Sequence, residues 1–148
     1  MQMQSSEVNP AAAGTSAAWL AYILHAIGYL PIVFWPAVAG LIVNYVKRGD
    51  APGGFVASHH GWMIRTFWYG LLWHSLSLGV LIWSAWPVLH AVLRSASAPG
   101  EFVIGWGAIF ASAGAAALGG SGMFLTWVWL MYRLIRGAYR LGNLQPVP

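Results

Sequence analysis

The stretch WMIRTFWYGLLWHSLSLGVLIWSAW, residues 62–86, contains one charged side chain, Arg65. Wound as an α-helix it would rise about 37 Å, enough to cross the roughly 30 Å hydrocarbon core of a bilayer. Two further apolar stretches, 17–46 and 102–136, have the same character. A chain that is 59% hydrophobic and 7% charged has too little polar surface to cover a soluble fold. These features predict an all-α, polytopic integral membrane protein, a small bundle of three to four transmembrane helices.

The first sixteen residues are small and polar, with Glu7 and no Lys or Arg. They lack the basic start of a secretory signal and read as a disordered tail ahead of an uncleaved first segment. Residues 17–141 then form a single membrane domain, and 142–148 a C-terminal tail. In the first segment, Gly28-Tyr29-Leu30-Pro31 and Pro36 interrupt the helical pattern, because proline lacks a donor and restricts its neighbour. One kinked span and two short helices in a hairpin both fit. The second segment runs from Trp62 to Trp86, with a continuation to Arg94 past Pro87 left open. SASAPGE, 95–101, is a turn. The third segment runs from Phe102 to Arg136 as one helix, softened at Gly119-Gly120-Ser121-Gly122.

Lys47, Arg48 and Arg65 collect between the first two segments, and Arg133, Arg136 and Arg140 collect at the end of the third. The positive-inside rule places residues 47–65 and the C-terminus in the cytoplasm. The N-terminus is outside for three spans and inside for four. Tryptophans and tyrosines bracket the spans as an interfacial belt would. The scattered basic residues form no track for a phosphate backbone, so nucleic acid is not an expected partner.

On the third segment Gly107, Ala111, Ala115 and Gly119 recur every four residues. Small side chains let helix backbones approach closely in lipid. Thr66, Gly70, His74, Ser77 and Ser84 make a matching stripe on the second. These faces are expected to meet within the bundle or at a homo-oligomer seam.

The residues that could carry chemistry are few. His74 is expected to sit inside the bundle, satisfied by a serine or a backbone carbonyl. His25 and His74 fall at similar depth if three spans form, an arrangement that could hold a bis-histidine haem. GGSG at 119–122 has the form seen around the serine of rhomboid-type proteases, with His74 as a conceivable base; a glycine bend explains it as well. His59 and His60 are adjacent, so their side chains diverge, and no span carries a carboxylate. No metal site is expected, and with no cysteine there is no thiolate chemistry. Arg133, Arg136 and Arg140 read as one basic stripe snorkelling to anionic headgroups, and Arg65 as a cation–π partner of Trp68 or Tyr69.

LIVNYVKRGD, SHHGWMIRTFWYGLLW and VWLMYRLIRGAYRLGNLQPVP resemble a family of small uncharacterised proteobacterial inner-membrane proteins, which is distantly similar to the Tic-twenty-like membrane proteins. The resemblance covers residues 17–148. It rests on Asn44, Lys47, Arg48, Ser58, His59, Arg65, Thr66, Phe67, Trp68, Tyr132, Arg133, Arg136 and Gly137. It implies a short helical pair for the first segment, four helices in all, and no assigned activity. The expectation is therefore a non-enzymatic bacterial inner-membrane protein without a resident cofactor. It would act as an assembly, accessory or scaffold subunit in a larger membrane complex or homo-oligomer, through its helix faces and through His59, Arg65, Trp68, Tyr132, Arg133, Arg136 and Arg140. A transport or translocation component and a haem-binding redox unit are the alternatives.

Overall fold

The computed structural model describes residues 14–30, 34–50, 54–97 and 105–148. Regular structure there is entirely helical: α1 Thr15–Gly28, α2 Trp35–Arg48, α3 Phe55–Trp83, α4 Trp86–Ser97 and α5 Trp106–Gly142. Most of the expected N-terminal tail, Pro31, Glu101 and the expected start at Phe102 lie outside the described residues.

The first apolar segment is two helices. α1 ends at Gly28, and the Tyr29 N–H closes its last turn on the His25 carbonyl. α2 opens with Pro36 in its first turn, where a missing N–H costs nothing. It closes on Lys47 and Arg48, whose charges suit the negative end of the helix dipole. α3 starts at Phe55, earlier than the expected Trp62, so much of the stretch read as a loop between 47 and 65 is helical. α3 gives way to α4 at Ser84 and Ala85, with Pro87 in the first turn of α4. α5 runs unbroken through Gly119–Gly122. With 29 and 37 residues, α3 and α5 rise about 43 and 55 Å, each longer than a hydrocarbon core.

Two stretches, Phe55–Ser95 and Trp106–Gly142, are long and apolar enough to cross a membrane, and only 6% of either apolar window is buried. A helix at the centre of a soluble domain would instead be mostly buried. Trp73, Leu76, Trp83, Phe110, Leu118, Phe124 and Leu125 all point outward.

The chain divides into two compact units, Met1–Tyr69 with Trp129–Pro148, and Gly70–Val128. In the first, α1 and α2 pack antiparallel at very close range. Gly28 meets Ala37, and further from the turn Gly40 meets the His25 ring and the Ala21 carbonyl. Ala18, Ala21, His25 and Gly28 on one helix and Ala37, Gly40 and Asn44 on the other are buried at steps of three and four. Such small-residue faces associate by van der Waals packing. Tyr22, Val56, Trp62, Met63, Leu134, Leu141 and Val147 complete this core.

In the second unit α3 and α5 touch backbone to backbone where Gly119 faces the Ser77 carbonyl and the Leu81 amide. Gly122 faces the Ser77 side chain. Gly70 and Ser84 are buried, and His74 and Ser77 half-buried, along that side of α3. The α5 face differs from the expected four-residue ladder. Gly107 and Ala111 are exposed, with open space where a Gly107 side chain would stand. The contact face is Ser112, Ala115, Gly119, Gly122 and Thr126, at steps of three and four. A helix advances 3.6 residues per turn, so a strict four-residue ladder drifts around it and leaves the contact.

Candidate functional site

The polar side chains of the first unit gather along the opening turns of α3. His59 and His60, adjacent in sequence, diverge to opposite partners. The Tyr22 hydroxyl donates to His59 Nδ1 at 2.9 Å, and His59 Nε2–H donates to the Gln145 carbonyl at 2.9 Å. A carbonyl can only accept, so this bond fixes the neutral tautomer and leaves Nδ1 to accept from Tyr22. His60 Nδ1–H donates to Asn44 Oδ1 at 2.7 Å. Both rings are fully buried, His59 at 0% and His60 at 1% exposure, and each links α3 to a distant part of the chain. These bonds keep the stretch 55–61 helical where its polarity suggests a loop.

A second cluster joins α3 to α5. Arg133 Nε–H donates to Thr66 Oγ1 at 2.8 Å, and the Thr66 hydroxyl donates to the Trp62 carbonyl at 2.7 Å. The Arg133 guanidinium stands 3.5 Å from the centroid of the Trp62 ring and 5.0 Å from that of Trp129. The Trp62 indole N–H donates back to the Arg133 carbonyl at 3.3 Å. Arg133 is thus half-buried in a clasp, not extended to headgroups as its place in the sequence suggested. Leu130, Leu134, Gly137 and Leu141 form the buried face of α5, and Arg133 lies on its rim, while Arg136 points outward to donate to the Tyr132 hydroxyl at 3.0 Å. The expected single stripe of three arginines divides accordingly. Stacking on tryptophan belongs to Arg133, not Arg65.

The third feature is residues 143–148, a strap laid on α3 rather than a free tail. α5 ends with the Gln145 N–H on the Arg140 carbonyl and the Leu144 N–H on the Leu141 carbonyl. Leu144 takes the left-handed conformation, φ 55°. This is the Schellman arrangement, with leucine where glycine is usual. It reverses the chain toward α3. Val147 N–H donates to Ser58 Oγ at 3.1 Å, and Val147 is buried. Arg140 donates to the Pro146 carbonyl at 2.9 Å and Arg65 to the Pro148 main-chain oxygen at 2.7 Å. Pro146 and Pro148 have no N–H to satisfy, so every backbone donor from 143 to 148 is paired.

The remaining expected residues stand apart from these clusters. Trp68 is exposed and donates to the Tyr45 hydroxyl at 3.1 Å. His74 Nδ1–H donates to the Gly70 carbonyl one turn back at 3.1 Å; among the described residues no hydrogen bond joins it to Ser121, which is exposed. His25 Nδ1–H donates to the Ala21 carbonyl at 2.8 Å. The His25 ring is 1% exposed, enclosed by Tyr29, Phe67 and the backbone of Gly40. A haem beside it would have to displace all three, so His25 does not fit the axial-ligand role, and it lies in a different unit from His74. His25 Nε2 and Asn44 Nδ2 are buried without hydrogen-bond partners. No group of three metal-ligating side chains occurs among the described residues.

Asp50 and Lys47 pair at 2.7 Å on the exposed turn after α2. The Lys47 hydrogen bond, and then its charge, holds the Asp50 carboxyl below the usual carboxylate range. Sequence reasoning missed the strap. A valine between two prolines, a few residues beyond the helix end at Gly142, is a signal for an extended segment, because it presents a single backbone donor.

Compared with protein-family models, curated proteins and solved structures, the chain matches none.

Proposed function

We propose that the protein is a small integral membrane protein of a bacterial cytoplasmic membrane, acting without catalysis as an accessory or scaffold subunit of a membrane assembly. α3 and α5 would cross the bilayer. α1 and α2, each about 21 Å long, are too short to span as single helices and would enter as a pair from the side that carries Lys47, Arg48 and Arg140. One observation carries the reading: the long helices turn their large apolar side chains outward, while buried His59, His60 and Thr66 are committed to internal ties. Lipid and neighbouring helices are the surroundings that suit such a surface. The polar interior holds chain segments together, which is the work of a scaffold.

The test is extraction in a mild detergent at native expression, followed by affinity purification and mass spectrometry. A reproducible set of co-purifying membrane proteins, or a defined homo-oligomer, is the expected result. A lone monomer would overturn the scaffold reading.

A further inference from the structure

α4 is built the wrong way round for a helix in water. Trp86, Leu89, Val92 and Leu93 recur at steps of three and four and share one face, and all four are exposed, between 41% and 55%. Pro87, Ala91 and Ser95, at steps of four on the opposite side, are half-buried. A soluble amphipathic helix does the reverse, setting its large apolar side chains against the core and its small or polar ones toward water. In lipid, small residues let helices approach each other, and acyl chains are as apolar as leucine. The serines of this stretch fit such a solvent. Ser84 Oγ donates to the Leu81 carbonyl at 2.6 Å, Ser95 Oγ to that of Ala91 at 3.1 Å and Ser97 Oγ to that of Leu93 at 3.0 Å, so each hydroxyl is satisfied three or four residues back. No charged residue lies between Arg65 and Arg94.

We propose that α4 does not leave the membrane at the break after α3: Trp86, Leu89, Val92 and Leu93 stand among lipid acyl chains, and Arg94 and Ser97 mark where the chain reaches the headgroups. The inference rests on the membrane reading above and extends it, since α3 alone is long enough to cross and nothing in its length requires α4 to follow it into lipid. The backbone at the break suits hydrocarbon. Pro87 has no N–H, and the Ser84, Ala85 and Leu89 N–H groups pair with the Val80, Ile82 and Ala85 carbonyls. Two observations choose lipid over a partner helix. Four large side chains crowd the outward face, whereas the helix contact within this unit is made by Gly119 against the Ser77 carbonyl and the Leu81 amide. Ile82 and Trp83 are exposed as well, so the apolar surface of α3 runs on into α4 without interruption.

The chain has no cysteine, so a single substitution carries a nitroxide to one chosen place. Leu89→Cys, Val92→Cys and Leu93→Cys probe the outward face, Ser97→Cys the far end of α4, and Gly49→Cys, in an open turn, is the aqueous reference. Each full-length labelled protein is reconstituted in phosphatidylcholine vesicles. Power saturation then measures collision with oxygen, which concentrates in hydrocarbon, and with a water-soluble nickel chelate present on both sides. At positions 89, 92 and 93 the oxygen-to-nickel ratio is expected to exceed that at 49 at least fivefold, and to fall again at 97. Ratios at 89, 92 and 93 equal to that at 49 put α4 in water and overturn the proposal. Low collision with both reagents at these three positions means that a second copy of the chain covers the face, and overturns the lipid assignment. Three probed positions keep the test decisive if one variant fails to fold. Flotation of the vesicles separates the two levels: protein that fails to float defeats the membrane reading, and protein that floats with 89, 92 and 93 open to nickel defeats only the placement of α4.

Discussion

Replacing Gly28 with alanine tests whether the first unit depends on backbone contact between α1 and α2. A Cβ there would stand 2.5 Å from the Ala37 Cβ and 2.8 Å from the Ala37 Cα, and it would overlap the Ala37 amide nitrogen. These atoms belong to the opposing backbone and its first carbon, so no rotamer change relieves the clash. Ordinary contact lies near 3.5–4.0 Å, so the helices must part by roughly 1 Å. A gap of that size forfeits about a quarter to a half of each dispersion well along the interface, and packing is what joins helices in lipid. Overpacking of this kind costs about 1–3 kcal/mol. Alanine's better helix propensity returns at most about 1 kcal/mol, and less at a last-turn position. The net expectation is a loss of about 1–2 kcal/mol. Gly114, in the interior of α5, is the control, since nothing lies within 4 Å of a Cβ there and alanine should gain about 0.5–1 kcal/mol. Both variants are read by the midpoint of helical ellipticity, against temperature and against the mole fraction of sodium dodecyl sulfate in mild detergent. A Gly28→Ala protein at least as stable as the parent would refute the close-packed hairpin.

Gly137→Ala puts a Cβ 2.9 Å from the ring of Tyr22, whose hydroxyl is tied to His59. It should cost about 1–3 kcal/mol in the same midpoint assay. Thr66→Val keeps the shape but leaves Arg133 Nε without its acceptor. A loss of about 1–3 kcal/mol is expected, with Thr66→Ser recovering most of it, in the same midpoint assay. Leu144→Gly relieves a left-handed leucine whose side chain is exposed, and should raise the midpoint, with a stability gain of up to about 1 kcal/mol. Asp50 is a depressed carboxylate, so whatever stability its pair with Lys47 carries is present above the usual carboxylate range and lost as pH falls through its lowered value. The pair is exposed, and Asp50→Asn should leave the neutral-pH midpoint unchanged.

The parts of this structure open to sequence reasoning are those set by local chemistry. Proline and glycine near residues 28–36 end one helix and begin another, and the apolar runs give long helices. The polar positions at steps of three and four on α3 do share a face. Features that depend on partners far along the chain are not written locally. SHHG at 58–61 looks like a loop because His59 and His60 are polar, but their acceptors are Gln145 and Asn44, and α3 begins at Phe55 once those bonds exist. Arg133 looks like a headgroup anchor because arginines near a helix end usually are; Trp62 and Thr66, some seventy residues earlier, draw it inward.

The same division bears on what the two units can do. In the second, hydrogen bonds to serine, threonine and His74 run mostly to a carbonyl three or four residues back on the same helix, as at His74, Ser84, Ser95 and Thr126. Such bonds satisfy polar groups in lipid but join nothing. In the first, polar side chains cross between elements at Tyr22, Asn44, Ser58, His59, His60, Arg65, Thr66 and Arg133. A bond between two elements can be exchanged for a bond to a ligand, and one closed on its own helix has much less to gain. The ties that join distant segments therefore concentrate where α1, α2 and the strap meet α3.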